Sequence, residues 1–308
     1  MSVSVHPSRG TVYSYLILTT LLWGGSFLFT KIGLREVPPQ LFVLARFSVA
    51  TLIMLIVAAP RLAALNAATL RRGITVGLVL GLTNISFVFG LKDTSISRAG
   101  VLNNLFVLLI PIITRVLWKD RIGRTSMAGI AMAAAGIWLL ATGSGAGFSR
   151  GDLVSLICAF FIACHIITVS KVLRDDDVYV VSLVQFATVA CLAGATVLAL
   201  PTTYAVPSLK GMATIAYCAL FPTVICFTVQ NAFQRYVTPT QAGLIYTLDP
   251  VWSLLAGFFI LGERLNGREW LGCGLIFLAV LFPLAIRCLR ERRPTEPYLE
   301  EEVVTASQ

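Results

Sequence analysis

Along the whole chain apolar residues come in runs of about twenty, separated by short clusters of charge, proline and glycine. A helix needs about twenty such residues to cross a hydrocarbon core about 30 Å thick. The clearest case is residues 240–278, where an apolar run from Ala242 to Leu261 ends in Gly262, Glu263, Arg264 and Asn266, and a second run from Trp270 leads back. Charges and turn residues belong in headgroups or water, so this stretch reads as two crossings and their turn.

The same pattern predicts ten spans, at about residues 12–31, 40–59, 73–91, 99–118, 127–142, 152–170, 178–200, 213–233, 242–261 and from 270 onward. The first is read as a span and not as a signal peptide, because it is longer than a cleaved h-region and lacks a small-x-small exit. Residues 144–151 form a Gly/Ser-rich linker between a first unit, 13–143, and a second, 152–287. Short ends, 1–12 and 288–308, are left outside the bilayer, and the basic-then-acidic tail is expected to be disordered.

The two units are related. Residues 97–140 set beneath 240–283 match without a gap: Ala99-Gly100 falls on Ala242-Gly243, Leu105 on Leu248, Asp120-Arg121-Ile122 on Glu263-Arg264-Leu265, and Gly129 on Gly272. Upstream, Ser95 falls on Thr238. An acid-Arg-aliphatic turn between two apolar runs, met twice, points to an internal duplication, which in membrane proteins is a mark of transporters. Five spans per unit is an odd number, so the second unit must enter the membrane inverted. Ten spans place both termini on one side, and the bias of Lys and Arg assigns that side to the cytoplasm. The fold expected is therefore all-α and integral to the membrane: ten transmembrane helices as two inverted five-helix repeats around a central cavity.

Composition sharpens this picture. Hydrophobic residues are 57%, charged residues 13% and mean hydropathy +0.84, which leaves little for a soluble domain. The net charge of +9 is dealt out at the ends of apolar runs, an orientation signal and not a nucleic-acid-binding face. The seven cysteines fall mostly within apolar runs and form no CxxC pair, so they are expected to be small buried side chains, with no disulfide frame and no metal site. No Walker-type motif appears, and no cofactor is implied. The partners expected are a small-molecule solute and the lipid bilayer; monomer and homodimer both stay open.

The stretch WGGSFLFTKIGL at 23–34, Arg46, the entries at Ser95 and Thr238, and DPVWSLLAGFFILGERLNGREWLGCGLI from Asp249 resemble the drug/metabolite transporter superfamily, specifically its EamA-type members. The resemblance covers about 13–283. It implies a ten-helix inverted-repeat fold and secondary transport, often export of amino acids, metabolites or drugs. Two departures stand out: Pro111 falls on Leu254 and not on Pro250, so the kinks of the two halves are expected to differ, and Lys119-Asp120 stands where the family's first repeat often has a GE pair.

Ionisable and amide groups deep in a span need a partner, a cavity or a use. Asp249 precedes Pro250, which removes a backbone donor. Asp249 reads either as the cap of the second half of a broken helix or as a solute or proton site at that break. Asn103 and Asn104 fall on Tyr246 and Thr247, at the same depth, and Tyr246, Asp249 and Ser253 share a helix face. Arg46 either snorkels outward or pairs with a carboxylate, the solute's or Asp249's. His165 reads as a hydrogen-bonded structural group or a proton relay, and Gln230, Asn231 and Gln185 as cavity lining or packing bonds. Trp23 is expected to wall the cavity. The candidate binding set is thus Trp23, Arg46, Asn103, Asn104, His165, Gln230, Tyr246 and Asp249, with Asp249 the candidate coupling residue. A membrane-embedded transferase would need His, Asp, Ser or Lys clustered at one headgroup level, where the sequence has scattered single groups. A non-transporting membrane subunit is the other alternative.

Overall fold

The computed structural model describes residues 7–118, 124–143, 148–173, 176–200 and 206–291. The Lys119-Asp120-Arg121 turn, Arg174-Asp175 and the acidic tail lie outside the described residues. Helix follows helix: α1 (Arg9–Gly33), α2 (Pro39–Ala58), α3 (Ala67–Lys92), α4 (Ile96–Asn103), α5 (Phe106–Trp118), α6 (Arg124–Gly143), α7 (Arg150–Val172), α8 (Val178–Ala199), α9 (Leu209–Ala219), α10 (Cys226–Phe233), α11 (Pro239–Tyr246), α12 (Asp249–Ile260) and α13 (Gly267–Glu291). Seven helical stretches, at 10–33, 39–64, 67–92, 96–117, 150–172, 178–199 and 209–236, are long and apolar enough to cross a membrane. Shorter apolar helices lie at 127–136, 251–260 and 270–279.

Polar residues mark where helices begin. Ser8, Asn66, Ser95, Asp177 and Ser208 each accept a backbone N–H of the turn they precede. Ser149 and Asp152 form a reciprocal capping box at the start of α7. The turn after α12 needs Gly262, whose φ of 67° is left-handed.

Two expected spans are broken, the second just ahead of Pro250, which stands in the first turn of α12, and the first well ahead of Pro111. The span at 99–118 divides into α4 and α5 at Asn104-Leu105, while Pro111 sits inside α5 without ending it. The span at 242–261 divides into α11 and α12 at Thr247-Leu248. Bonds of the i→i−3 type tighten both breaks: Leu105 N–H to the Leu102 carbonyl at 3.2 Å, and Leu248 N–H to Ile245 at 3.3 Å. In the alignment of the repeats these breaks coincide, and the short helices α4 and α11 coincide end to end. The halves are therefore kinked alike, contrary to the expectation from Pro111 and Pro250. The break also removes Ser253 from any common helix with Tyr246, and Ser253, though buried, is not in the cavity wall described below.

Packing puts α1 against α9, α10 and α12, α2 against α8, α3 against α7 and α8, α4 against α7 and α12, and α6 against α13. One apolar core gathers Leu102, Phe106, Ile110, Ile166 and Tyr246; another gathers Phe42, Phe47, Met54, Leu80 and Phe186. Close approach rests on small residues, as expected where lipid supplies no hydrophobic drive between helices. A Cβ on Gly24 would lie 2.1 Å from the Trp252 Cβ, and one on Gly136 would lie 2.9 Å from the Gly272 carbonyl oxygen. Of the cysteines, Cys158, Cys218, Cys226 and Cys273 are buried, whereas Cys191 is exposed.

Gly24→Ala is expected to destabilise the fold by about 1–3 kcal/mol by forcing α1 from α12. Gly10→Ala, whose new Cβ would meet nothing nearer than the Ser8 Oγ at 3.8 Å, is expected to be neutral. Thermal denaturation in detergent checks both.

Candidate functional site

The helix breaks face a cavity of about 110 Å³ in the middle of the bundle. A cavity needs about 10–15 Å³ of such space per water, so this one has room for several waters or a small solute group. All eight candidate residues stand in its wall: Trp23 from α1, Arg46 from α2, Asn103 and Asn104 at the first break, His165 from α7, Gln230 from α10, and Tyr246 and Asp249 at the second break. Ser26, Phe27, Thr83, Asn84, Phe87, Phe106, Cys158 and Phe227 complete much of the lining.

What distinguishes the wall is its surplus of oxygen. Buried polar atoms in native proteins nearly always find a hydrogen bond, and leaving one unpaired costs about 1–3 kcal/mol. Here Asn103 Oδ1, Asn104 Oδ1, Gln230 Oε1 and Asp249 Oδ1 are buried without a partner, and all four belong to cavity-lining residues. Asp249 opens α12, but the cap position is Leu248 and no side chain caps this helix. The reading of Asp249 as a helix cap is thus not what the structure shows.

Arg46 is positioned by a defect in the helix opposite. Between α9 and α10, residues 220–225 form one turn of π-helix around Pro222. Pro222 cannot donate to the Cys218 carbonyl one turn back. The Thr223 hydroxyl donates to that carbonyl instead, at 2.6 Å, and accepts Arg46 Nε–H at 2.7 Å. The Cys226 N–H bonds to Phe221, and the Pro222 carbonyl accepts the Trp23 indole N–H at 3.1 Å. One irregular turn thereby orients both a cation and an aromatic wall. Arg46 is 2% exposed, so it does not snorkel, and no carboxylate among the described residues lies within ion-pair distance of it, Asp249 included.

A buried amide network supports the other side. Gln234 Oε1 accepts from Gln230 Nε2 at 2.7 Å and from the Tyr246 hydroxyl at 3.1 Å, while its Nε2 donates to the Ile166 carbonyl and to Ser170. His165 Nε2 lies 3.3 Å from Gln185 Nε2, and Asn231 Nδ2 donates to Gln185 Oε1 and Ser182. Gln185 and Asn231 therefore serve packing and are not in the wall, whereas Gln230 is. The Trp23 ring meets Tyr246 edge-on with centroids 5.1 Å apart, and Phe227 lies at 5.6 Å. Among the described residues, no group of three His, Cys, Asp or Glu side chains is placed to hold a metal ion.

Sequence reasoning passed over Thr223, Gln234, Asn84 and Phe227. Pro222-Thr223 inside an apolar run was the available signal for the first. Thr223→Val is expected to strip Arg46 Nε–H and the Cys218 carbonyl of their shared partner and to cost about 1–3 kcal/mol of stability, whereas Thr223→Ser keeps the bond and the stability. Thermal melts of the two variants in one detergent decide it.

Comparisons with known proteins agree with this architecture. A transporter of Archaeoglobus fulgidus, described as uncharacterized, is 27% identical over 270 residues, covering 86% of this chain and 83% of its own. YedA of Escherichia coli K12, described as an uncharacterized inner membrane transporter, is 26% identical, covering 88% of this chain and 89% of its own. A probable amino-acid metabolite efflux pump of the same strain is 24% identical, covering 84% and 90%. A solved crystal structure 20% identical in sequence superposes with a TM-score of 0.66 over 91% of this chain and 99% of its own, which speaks to the fold. The EamA-like transporter family matches residues 10–142 and 149–284, one copy on each half. With apolar helices long enough to span a bilayer and both halves matched, this chain is a multi-pass membrane protein and belongs to the EamA-like transporter family.

Proposed function

We propose that the protein is a secondary transporter of ten crossings in two inverted halves, exporting small metabolites, amino acids or drug-like solutes across the cytoplasmic membrane by alternating access, with both termini cytoplasmic. The observation that carries this reading is the central cavity, to which both halves contribute and at whose wall four side-chain oxygens lack partners. Ten crossings follow if the three shorter apolar helices complete the count begun by the seven longer ones.

Inversion is supported by which helix ends meet. Lys31, near the end of α1, donates to the Leu91 and Thr94 carbonyls at 2.7 and 2.6 Å, so α1 and α3 end together. Gly151, at the start of α7, packs against Asp93 and Gly90 at that same end. The first helix of one half thus ends where the first helix of the other begins. Inverted halves of one design can exchange two packings of similar energy, each open to one side.

The wall chemistry suits a dipolar solute. Arg46 offers N–H donors to a carboxylate, the oxygens of Asp249, Asn103, Asn104 and Gln230 face an ammonium, and Trp23, Phe87 and Phe227 face an apolar side chain. A relative named as a probable amino-acid metabolite efflux pump supports this class. Asp249 has no cation beside it among the described residues, so either a proton or the solute's own ammonium neutralises it.

In proteoliposomes carrying a panel of amino acids, an imposed pH gradient is expected to drive flux through the native protein and not through Asp249→Asn. Gradient-driven flux that survives unchanged in the variant removes Asp249 as the proton carrier. Single cysteines placed at Asp120 and at Gly262 are expected to react with impermeant maleimide from opposite sides of the membrane. Labelling of both from one side refutes the inversion.

A further inference from the structure

The short helix α4 is held differently from its repeat counterpart α11, and by residues that the transport site does not use. Three backbone N–H groups at the start of α4 are capped. Ser95 accepts from Arg98 N–H at 3.1 Å, and the Glu263 carboxylate, reaching across from the turn between α12 and α13, accepts from Ile96 and Ser97 N–H at 2.8 and 3.0 Å. Glu263 also accepts the Ser97 hydroxyl at 2.7 Å. Gly257 makes room for this: a Cβ there would lie 2.6 Å from both Ser97 Oγ and Glu263 Oε2.

On the neighbouring face Arg98 grips Asp152 of α7 with Nε at 3.2 Å and Nη2 at 2.6 Å. The Asp152 side chain is 0% exposed and also accepts from Thr94 Oγ1 and Ser149 N–H. Both carboxylates belong to the second half of the chain, whereas α4 belongs to the first. At the position of Arg98 in the repeat, α11 carries Gln241, whose Oε1 accepts the nearby Thr238 N–H at 3.0 Å and so serves its own helix end. At its inner end α4 presents Gly100 and Asn103 to the cavity and then breaks at Asn104-Leu105. It thus lies between the cavity and the membrane face where α1 ends, clamped at its outer end and jointed at its inner end.

We infer that α4 is the moving leaf of the gate on that face, swinging about Asn104-Leu105, with Glu263 and Asp152 as its two latches. The leaf closes when the second half supplies both carboxylates, and it opens when the halves rock apart and withdraw them together. Because the Arg98–Asp152 grip is not repeated at Gln241, the structure is biased toward closure at the α4 face. This inference rests on the proposed alternating-access reading for its purpose, but its test needs no solute.

Cys158, a native cysteine in the cavity wall, is the reporter. Sealed vesicles of each orientation are treated with impermeant maleimide, and labelling of Cys158 is read by peptide mass spectrometry. A separate Lys92→Cys variant identifies the α4 face. From that face, Cys158 in the native protein is expected to react slowly. Asp152→Asn and Glu263→Gln are each expected to raise the rate about tenfold or more, and labelling from the opposite face is expected to fall. Rates unchanged from both faces, or raised equally from both as general loosening would do, overturn the latch.

A second variant guards against misfolding. Ser97→Cys with Gly257→Cys, joined by oxidation, is expected to abolish Cys158 labelling from the α4 face and to regain it on reduction; labelling that persists when joined also overturns the proposal. Latched labelling behaviour in a protein that carries none of the solutes tried would refute the transport reading and leave the latch standing.

Discussion

In the interior of a bilayer there is no water to take up a stray N–H or C=O, so backbone may leave the helical path only where protein or a wet cavity covers the loss. The irregular stretches of this chain respect that rule. The breaks at Asn104-Leu105 and Thr247-Leu248 and the π-turn at 220–225 all border the central cavity or carry residues bonded to its wall. At the π-turn the Thr223 hydroxyl takes over a carbonyl that Pro222 leaves free, and Trp23 takes another. The irregularities are therefore where the chain is allowed to expose polarity, and of the six buried side-chain oxygens without a partner among the described residues, four belong to the cavity wall.

The cavity combines one cation and one carboxylate that do not neutralise each other. Arg46 is fixed by Thr223 from the second half, and Asp249 belongs to that half itself, yet no ion pair joins them. A buried charge without a counter-charge is costly. Arg46 and Asp249 both stand in the wall of that one space without such a partner among the described residues.

Duplication supplies the frame, and the two halves depart from it in how their short helices are held. Helices α4 and α11 coincide in length and in their Ser95 and Thr238 caps, but Arg98 and Gln241 differ, and only the former reaches a buried acid of the opposite half. Small residues such as Gly24 and Gly257 bring the halves close enough for these contacts. Under the alternating access proposed above, a symmetric pair of gates would have no preferred resting state, and unequal clamps would create one.

Much of this was legible in the residue order, because a polar group in a long apolar run is expensive wherever the run lies. Asp249, Arg46, Asn103, Asn104, His165 and Gln230 stood out on that ground, and the alignment of the repeats placed several at one depth. Proline was a partial guide: Pro250 stands in the first turn of α12 just after the break at Thr247-Leu248, whereas Pro111 is carried inside α5 and the matching break of the first repeat falls at Asn104-Leu105. Pro222-Thr223 passed unseen, since both residues are ordinary in an apolar run and their meaning depends on Arg46, 177 residues away. The apolar lengths, the duplication and the costly polar positions are local properties of the chain, and the sequence alone determined them. Which of those polar groups bond one another, as Asn231 and Gln185 do, and which are left to face the cavity depends on distances between helices, and those exist only once the helices have packed.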